Sequence, residues 1–576
     1  MYKKMKKINN SQKKKKKIVI TWRFQLICFT VFVIFLAILS QVAYLQLIES
    51  PELIEQGNLR SLRIEKIYSD RGAIYDRNGV LLAVSVQAKT IVADPKKIFS
   101  SDSLNKQKKY WDAFFNVLHL NRNKFEKKLN ANKNKRFMYV ARQVTSDVGR
   151  YIQKLKLDGI YLKQTSKRYY PSAEIASQLI GVTGIDGHGL EGIEKKYDKW
   201  LTGHPGSKTY RKDGNGNIIE NISLKDNQPG KPIQLSIDQR IQTAAYKAAK
   251  QYQLDYDCDS VQVVMVDVKT GEILALVSSP SFNPNNRNDF QSYRMQNKAI
   301  TDIVEPGSTI KPFTILAALK SHVATTKTLV HIPSRTWRID GSTITDTETM
   351  DKYSSLKEIL MRSSNIGSAK LALATPVKNI LMMESDFGLG KKTNLELDGE
   401  ASGTLHLSRK NWNTVDKSRL GFGYGVSFTA IQLAKAYAAL GNHGVVNNLS
   451  LLKLKDKTKG KRVVDRKDVD SVLNMLEAAT NAAEGGGVFR ADVKGYRIGA
   501  KTGTALVVDG SDGRYGNNYN VLTAGLAPMS NPQLALVVVV RDPKGDSYYA
   551  SQVAAPLFSE VMKDALQILN IPPDQN

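Results

Sequence analysis

The chain has 576 residues, of which 42% are hydrophobic and 24% are charged, and its formal net charge is +29. That length exceeds one ordinary core and predicts at least two domains, and the residue balance excludes a wholly disordered chain. Nine of the positive charges belong to lysines within residues 1–17. The rest comes without zinc-finger spacing or a recognition helix, so we expect no nucleic-acid partner; a basic surface facing an anionic membrane or wall explains the same charge.

The two cysteines exclude a disulfide framework. Cys28 lies in an apolar run and Cys258 stands alone, so the sequence offers no cysteine-rich metal site either. Cys258 is interpreted as a small, partly buried hydrophobic residue.

Residues 24–45 form the only long apolar run and contain no charged residue. A helix of that length crosses a hydrocarbon core of about 30 Å. The preceding lysines and Arg23 predict a cytoplasmic tail, residues 1–23, and place the rest of the chain outside the inner membrane. A cleaved signal peptide is the alternative, but its apolar region would be shorter and would end in small residues. We therefore predict a single uncleaved anchor.

The remainder divides in composition near residue 230. Residues 46–230 are polar and turn-rich, show no cluster of catalytic groups and are predicted to form a pedestal or interaction domain, in which Asn78-Gly79 suits a type I′ hairpin turn. The proline- and glycine-containing run DNQPGKP marks a linker, after which residues 231–576 are predicted to form a mixed α/β domain. The predicted strands are at 90–93, 234–237, 261–268, 272–277 and 534–540, and the predicted helices at 110–118, 313–320 and 430–440.

The run EPGSTIKP at residues 305–312 contains a serine and a lysine three positions apart, Ser308 and Lys311. Pro-Gly followed by an apolar run predicts that Ser308 lies at a helix N-terminus, where Lys311 falls on the same face. Free N–H groups at such an end favour an anionic oxygen, and a desolvated lysine can act as a general base. Taken alone, the pattern more often indicates a capping serine beside a surface lysine.

A second polar triplet, Ser363-Ser364-Asn365, lies between a helix-like segment at 356–361 and a run of mostly small and apolar residues at 366–374. A serine in this position can relay a proton between the lysine and a leaving amine, and an asparagine can bond both the lysine and a substrate amide. We therefore assign candidate catalytic roles to Ser363 and Asn365. By itself the triplet is an ordinary polar turn.

A third stretch, Lys501-Thr502-Gly503-Thr504, lies within apolar sequence that predicts the edge of a sheet. An extended substrate can add to such an edge, with Lys501 supplying a positive charge for a carboxylate and Thr502 and Thr504 supplying hydroxyls. Gly503 permits close approach of a ligand. The alternative for this stretch alone is a simple β-turn.

The three stretches in this order are the known signature of serine β-lactamases and penicillin-binding proteins. The chain further resembles class B penicillin-binding proteins, and among them the septal cell-division group, on motifs spread over nearly its whole length. These motifs are WRF at 22–24, RSLR at 60–63, RGAIYDRNG from 71, LAVSV from 82, RYYP from 168, GLEGIE from 189, RMQNKAITDIVEPGSTIKP from 294, FGYGVSFTAIQLAKAY from 422, EGGGV from 484 and KGYRIGAKTGTA from 494.

The resemblance implies a serine β-lactamase-like transpeptidase domain carried on an N-terminal pedestal. It implies D,D-transpeptidation of peptidoglycan stem peptides through an acyl-enzyme on Ser308, with Lys311 as base and with inhibition by β-lactams. It further implies an oxyanion hole of the backbone N–H groups of Ser308 and Thr504, and it implies neither a metal nor an organic cofactor. The expected partners are D-Ala-D-Ala stem peptides, a polytopic septal glycosyltransferase and other division proteins at the inner membrane.

Three alternatives remain from the sequence. A D,D-carboxypeptidase or β-lactamase would resolve the same acyl-enzyme with water, although an anchor and a pedestal suit wall synthesis better than a diffusible hydrolase. A scaffold or antibiotic sensor would use the fold only for binding, against which the intact Ser308 and Lys311 argue. An elongation enzyme would keep the mechanism and change the partner.

Overall fold

A computed structural model of the protein describes residues 21–214, 218–456, 459–508, 515–545 and 547–575. In chain order its first elements are α1 (Trp22–Leu47), α2 (Ser50–Ser61), β1 (Leu62–Ile67), β2 (Ile74–Tyr75), β3 (Leu81–Ala93), α3 (Pro95–Ser100), α4 (Ser103–Lys106), α5 (Lys108–Val117), α6 (Arg122–Ala131), β4 (Met138–Thr145), α7 (Ser146–Lys154), β5 (Ile160–Tyr169), α8 (Ser177–Ile180), α9 (Gly192–Lys196), α10 (Asp198–Leu201), β6 (Gly206–Lys212), β7 (Ile218–Lys225) and β8 (Ile233–Gln234).

The elements that follow are α11 (Gln239–Asp255), β9 (Ser260–Asp267), β10 (Ile273–Ser279), α12 (Ser292–Met295), α13 (Lys298–Thr301), α14 (Lys311–Lys320), β11 (Leu329–His331), β12 (Thr336–Ile339), β13 (Ser342–Thr345), β14 (Tyr353–Ser355), α15 (Leu356–Met361), α16 (Asn365–Ala374), α17 (Val377–Asp386), α18 (Thr414–Leu420), α19 (Ala430–Gly441), β15 (Val445–Val446), β16 (Lys461–Arg462), α20 (Arg466–Thr480), β17 (Gly499–Val508), β18 (Tyr515–Ala527), β19 (Leu534–Arg541) and α21 (Ala554–Ile568). The chain forms two compact units: one holds residues up to 67 together with 205–227, and the other holds 68–204 together with residues from 228 onward.

The first unit contains the predicted membrane segment. Helix α1 has 26 residues, none of them buried, and an 18-residue stretch of it has a mean hydropathy of 2.6. It is the one helix of the described residues that is long and apolar enough to cross a membrane. The prediction of one spanning helix is therefore confirmed by length and composition, with two more residues at each end than the apolar run. An antiparallel three-stranded sheet, β1-β6-β7, completes this unit.

The pedestal part of the second unit is built on β3, which pairs with β2, β4 and β5. Helices α5 and α6 contribute an aromatic cluster of Trp111, Phe114, Phe115 and Phe125, whose ring centroids lie 5.1–6.2 Å apart. Aromatic groups of this size bury the largest apolar areas available to a small domain. The predicted strand at 90–93 and helix at 110–118 are confirmed within β3 and α5.

A buried ion network joins three of the pedestal motifs. Arg71 Nε donates to Glu194 Oε2 at 2.5 Å, and Arg168 Nε donates to Glu194 Oε1 at 2.7 Å. Arg71 also donates to Asp198 Oδ1 at 2.6 Å. Glu194 is fully buried, so the two guanidinium groups compensate a carboxylate that would otherwise be costly to bury. The RGAIYDRNG, RYYP and GLEGIE motifs are thus one structural unit.

The turn at Asn78-Gly79 differs from the sequence prediction. Gly79 has a φ of 85°, but Asn78 is absent from the residues with positive φ, and a type I′ turn requires positive φ at both central positions. Instead, Asp76 accepts a hydrogen bond from the Asn78 N–H at 2.8 Å and from the Val80 N–H at 2.7 Å. The type I′ prediction was wrong because the carboxylate of Asp76, rather than the Asn-Gly pair, organises this turn.

The catalytic part of the second unit is organised by a five-stranded antiparallel sheet in the order β10-β9-β19-β18-β17. Residues of α11 and α21 pack on one face of this sheet, and residues of α14 and α19 belong to the core on the other. Strand β9 is buried at every position but its last, and so is β19. The strands predicted at 261–268, 272–277 and 534–540 are confirmed as β9, β10 and β19, whereas only Gln234 of the strand predicted at 234–237 lies in a strand, β8. Strand β9 does not alternate between core and solvent, because helices cover both faces of the sheet.

Candidate active site

Ser308 lies in a short 3₁₀ turn, Gly307–Ile310, that leads directly into α14. The predicted helix N-terminus at Ser308 is therefore confirmed in position. Gly307 has a φ of 50°, and a side chain there would lie 3.1 Å from the Thr504 carbonyl oxygen. A side chain at Gly423 would lie 2.1 Å from the Gly307 oxygen. The serine turn is thus packed against backbone on two sides, and this packing fixes its position.

Lys311 occupies the first turn of α14 and is fully buried. Its Nζ donates to the Ser363 carbonyl oxygen at 2.6 Å, to Ser363 Oγ at 3.2 Å and to Asn365 Oδ1 at 2.9 Å. Desolvation, followed by the positive charge of Lys501, lowers the pKa of Lys311 well below its ordinary value. An amine in that state can accept a proton near neutral pH.

The Ser363-Ser364-Asn365 triplet connects α15, which the sequence predicted, to α16, which it did not. Ser363 has a φ of 58°, which turns its carbonyl oxygen to the Lys311 amine. Ser364 is the N-cap of α16 and accepts from the Gly367 N–H at 2.9 Å. Left-handed backbone at a residue other than glycine is costly and is concentrated at functional sites. The triplet is therefore a constrained turn that presents two of its members to the lysine.

Asp346, which the sequence analysis did not identify, fixes this turn through hydrogen bonds. It follows β13 and is buried; its Oδ1 accepts from the Asn365 N–H at 2.6 Å and from the Ile366 N–H at 3.0 Å. Its Oδ2 accepts from the Ser364 hydroxyl at 2.7 Å. The same carboxylate acts on Lys311 as a charge that opposes the lowering of its pKa. Asp346 thus positions the triplet and influences the base.

Strand β17 carries Lys501, Thr502, Gly503 and Thr504 and forms the edge of the catalytic sheet, so the predicted strand edge is confirmed. A side chain at Gly503 would lie 2.5 Å from the Pro306 oxygen. This glycine lets the edge strand meet the serine turn directly. Thr504 Oγ1 accepts from the Ala550 N–H at 3.1 Å, which fixes that side chain. The serine turn and the edge strand are therefore in direct contact.

Lys501 is also fully buried, with its Nζ donating to the Thr502 oxygen at 3.2 Å. Desolvation lowers the pKa of Lys501 to about 7. The fixed positive charge expected from the sequence is thus a conditional one, because burial without a counter-ion favours the neutral amine. A bound carboxylate would favour the ammonium form.

Glu305 links the serine turn to neighbouring segments. Its Oε1 accepts from the Gly425 N–H at 2.8 Å and from the Tyr515 hydroxyl at 3.1 Å. Desolvation raises the pKa of Glu305. The ring of Tyr515 packs edge-on against Tyr424 at 5.6 Å.

Within the described ranges, no three His, Cys, Asp or Glu residues come together as metal ligands, and the expectation of no cofactor stays a prediction.

Three features together define the penicillin-binding class of serine acyltransferases. They are a serine at the start of a helix, a buried lysine bonded to a serine–asparagine turn, and an edge strand that carries Lys-Thr-Gly. The family model described as penicillin binding protein transpeptidase domain matches residues 261–563. The model described as penicillin-binding protein dimerisation domain matches residues 66–235.

Curated relatives match along most of the chain. The peptidoglycan D,D-transpeptidase FtsI of Escherichia coli K12 is 43% identical over 556 residues, which cover 96% of this chain and 93% of the relative. The protein of the same name from Buchnera aphidicola subsp. Schizaphis graminum is 40% identical over 564 residues, or 98% of each chain. The chain belongs to the class B penicillin-binding proteins, in the group of the FtsI peptidoglycan D,D-transpeptidases.

Solved structures agree with this assignment. A peptidoglycan synthetase from Bifidobacterium adolescentis has a TM-score of 0.69 at 25% identity and covers 89% of this chain and 98% of its own. The apo transpeptidase domain of Burkholderia pseudomallei penicillin-binding protein 3 has a TM-score of 0.54 at 32% identity and covers 59% of this chain and 98% of its own. The predicted family and fold are confirmed.

Proposed function

We propose that the protein is a septal peptidoglycan D,D-transpeptidase that cross-links stem peptides through an ester on Ser308. The observation that carries this proposal is the state of Lys311, which lies in the first turn of the helix that follows the serine. Its amine is buried, donates hydrogen bonds to Ser363 and Asn365, and has a pKa well below its ordinary value. A lysine in this state is suited to remove the hydroxyl proton of a serine. Membership of the FtsI group supports the substrate and the setting.

In the acylation step, Lys311 takes the proton of Ser308 Oγ as that oxygen attacks the carbonyl carbon of the penultimate D-Ala. The backbone N–H groups of Ser308 and Thr504 stabilise the oxyanion, each at about 3 kcal/mol. The peptide bond then breaks, and Lys311 and Ser363 return the proton to the departing D-Ala amine. The acyl chain remains on Ser308 as an ester, with D-Ala released.

In the second step, the amine of a neighbouring stem peptide attacks the ester carbonyl. The same lysine and serine receive the proton of the amine and return it to Ser308 Oγ as the ester bond breaks. Lys501, Thr502 and Thr504 hold the terminal carboxylate of the donor, and Gly503 lets the donor backbone lie against β17 as an added strand. A β-lactam enters the same path and stops at the acyl-enzyme.

The setting is the inner membrane. Helix α1 is the anchor, the lysine-rich tail before it is cytoplasmic, and the catalytic unit is periplasmic, as the excess of positive charge on the N-terminal side supports. The partners are a polytopic septal glycosyltransferase and other division proteins. A fluorescent fusion that concentrates at midcell supports this setting, whereas uniform sidewall fluorescence favours an elongation enzyme.

The reaction is tested on the full-length chain in detergent micelles with a pentapeptide stem donor and an excess of an amine acceptor. We expect D-Ala release together with a cross-linked product in the wild type, and neither product in Ser308→Ala. Ser363→Ala should lower the rate of both products by about tenfold or more, the range of a lost proton-transfer group. Hydrolysed donor alone, at every acceptor concentration, would assign a carboxypeptidase instead.

A further inference from the structure

A groove outside the active site lies where the pedestal part of the second unit meets its catalytic part. It has a volume of about 780 Å³ and is walled by Tyr197, Trp200, Ile233, Leu452 and Leu454. Ile233 is buried, and Tyr197 and Leu452 pack against the main core, so the floor of this groove is held rigidly. We call it the Trp200 groove.

Trp200 is exposed over 51% of its surface although it is the largest apolar side chain of the groove. Its indole N–H donates to the Pro232 oxygen at 3.3 Å, and the Lys231 ammonium lies 4.8 Å from the centre of its ring. The ring is therefore held in place while much of it faces solvent. Held aromatic side chains of this kind are typical anchors of protein interfaces.

The rim of the groove is basic. Lys231, Lys453 and Lys455 are exposed, and none of them forms an ion pair with a described carboxylate. The adjacent Glu272 is already engaged, because its Oε1 accepts from the Leu454 N–H at 2.7 Å and its Oε2 pairs with Arg77 at 3.2 Å. The groove thus combines apolar walls with an uncompensated positive rim.

We propose that the Trp200 groove binds an acidic peptide segment of a partner protein, with aromatic or leucine side chains seated between Trp200 and Leu454 and carboxylates on the rim lysines. Charge complementarity selects an acidic occupant. A concave groove with apolar walls suits inserted side chains, whereas an anionic bilayer offers a flat surface to lysines. The proposal is independent of the chemistry at Ser308.

The test uses the full-length protein in detergent micelles and a phage library of random dodecapeptides, with the affinity of enriched peptides measured by fluorescence anisotropy. We expect the enriched peptides to be acidic and to contain aromatic or leucine residues. Their affinity should fall at least tenfold in Trp200→Ala and in the double variant Lys453→Glu/Lys455→Glu. The matched control, Lys124→Glu/Lys127→Glu on α6, makes the same charge change on exposed lysines and should leave the affinity unchanged.

Enrichment of no peptide, or of peptides whose affinity is the same in both groove variants, would overturn the proposal. A second outcome would also overturn it: no peptide binds, and phosphatidylglycerol vesicles sediment the wild type but not the double groove variant. The occupant of the groove would then be lipid. Acylation by benzylpenicillin, measured on every variant, should stay at the wild-type level. Wild-type acylation would show that the variants are folded. It would also separate failure of this proposal from failure of the proposed reaction.

Discussion

Two lysines are fully buried in one site, and burial lowers the pKa of each. In the proposed reaction the neutral amine is the useful form of Lys311, since it would accept the proton of Ser308. The charged form is the useful form of Lys501, because it would hold the carboxylate of the donor. The pKa of Lys501, about 7, places this conflict within the physiological range. Donor binding and proton removal therefore respond to pH in opposite directions.

The first prediction concerns donor affinity. In Ser308→Ala, which binds without reacting, Kd for a stem peptide should rise above pH 7 by up to tenfold per unit, since Lys501 loses its proton there and one unit of pKa corresponds to about 1.4 kcal/mol. Isothermal titration between pH 6 and pH 9 measures it. The same peptide with an amidated C-terminus should bind weakly and without this slope. A constant Kd for the acid would contradict the role of Lys501.

The second prediction concerns Asp346. Its negative charge raises the pKa of Lys311 against the effect of burial, so Asp346→Asn should shift the acidic side of the pH profile for benzylpenicillin acylation to lower pH. Asparagine retains the oxygen that accepts from Asn365 and Ile366, and the turn should survive. Asp346→Ala should slow acylation by about tenfold or more, because buried N–H groups lose their acceptor at about 1–3 kcal/mol.

An unchanged profile in Asp346→Asn, with the maximal rate also unchanged, would show that this carboxylate does not act on the base. Thermal unfolding of both variants separates a lost turn from a lost charge. Only the charge effect moves the pH profile without lowering Tm.

Among the elements, the pedestal motifs are held by charges and the catalytic elements by backbone contact. Arg71 and Arg168 reach Glu194 from different strands and loops, so that one buried carboxylate ties three segments together. In the catalytic part, the serine turn and β17 meet through Gly307 and Gly503. A Cβ atom at Gly503 would collide with the Pro306 oxygen at 2.5 Å, and one at Gly307 would lie 3.1 Å from the Thr504 oxygen. The ion network is therefore sensitive to the loss of a charged group, and the contact between the serine turn and β17 is sensitive to added side-chain volume.

The third prediction tests the ion network. Glu194→Gln leaves two guanidinium groups without their buried counter-charge and should lower the free energy of unfolding by about 3–5 kcal/mol. Asp147→Asn, which removes the partner of Arg150 in an exposed pair, is the control and should change it by less than about 1 kcal/mol. Urea unfolding measures both. Equal effects would show that the buried network does not stabilise the pedestal.

The sequence predicts the elements of this site better than their surroundings. The serine turn, the triplet between two helices and the edge strand follow from local patterns and from the family resemblance. Asp346 does not, because its polar loop also contains Glu348 and Asp351, and no spacing marks which carboxylate will reach the triplet. The charge state of Lys501 cannot be predicted from the sequence either, because it depends on the burial of the side chain, which no local pattern predicts.

At the scale of the whole molecule, residues 68–204 of the pedestal share one compact unit with the catalytic domain. Strand β2 pairs in parallel with β8, Asn78 Nδ2 donates to Asp238 Oδ2 at 3.0 Å, and Arg77 pairs with Glu272 at 3.2 Å. The predicted boundary at residue 230 stays a prediction. Composition alone could mark a linker there but could not reveal that the chain on either side pairs again.

The fourth prediction follows from these contacts. A fragment of residues 231–576 should fold, as the solved transpeptidase domain from Burkholderia pseudomallei does, but with a Tm about 5–10 °C below that of residues 46–576. The fragment loses the β2–β8 pairing, polar contacts such as Asn78–Asp238 and Arg77–Glu272, and the apolar contacts of the pedestal residues that belong to the main core. Differential scanning calorimetry of the two fragments measures it, and equal Tm values would mean that the pedestal contributes no stability to the catalytic domain.

The central claim, that Ser308 is the nucleophile of a slowly hydrolysed acyl-enzyme, is tested most directly by intact mass. The full-length chain in detergent is mixed with benzylpenicillin beside Ser308→Ala, and both are followed for an hour. We predict a single added penicilloyl group on the wild type that persists for many minutes, and none on the variant. An adduct on both proteins, rapid loss of the adduct with turnover of penicillin, or no adduct on folded wild-type protein would contradict the account.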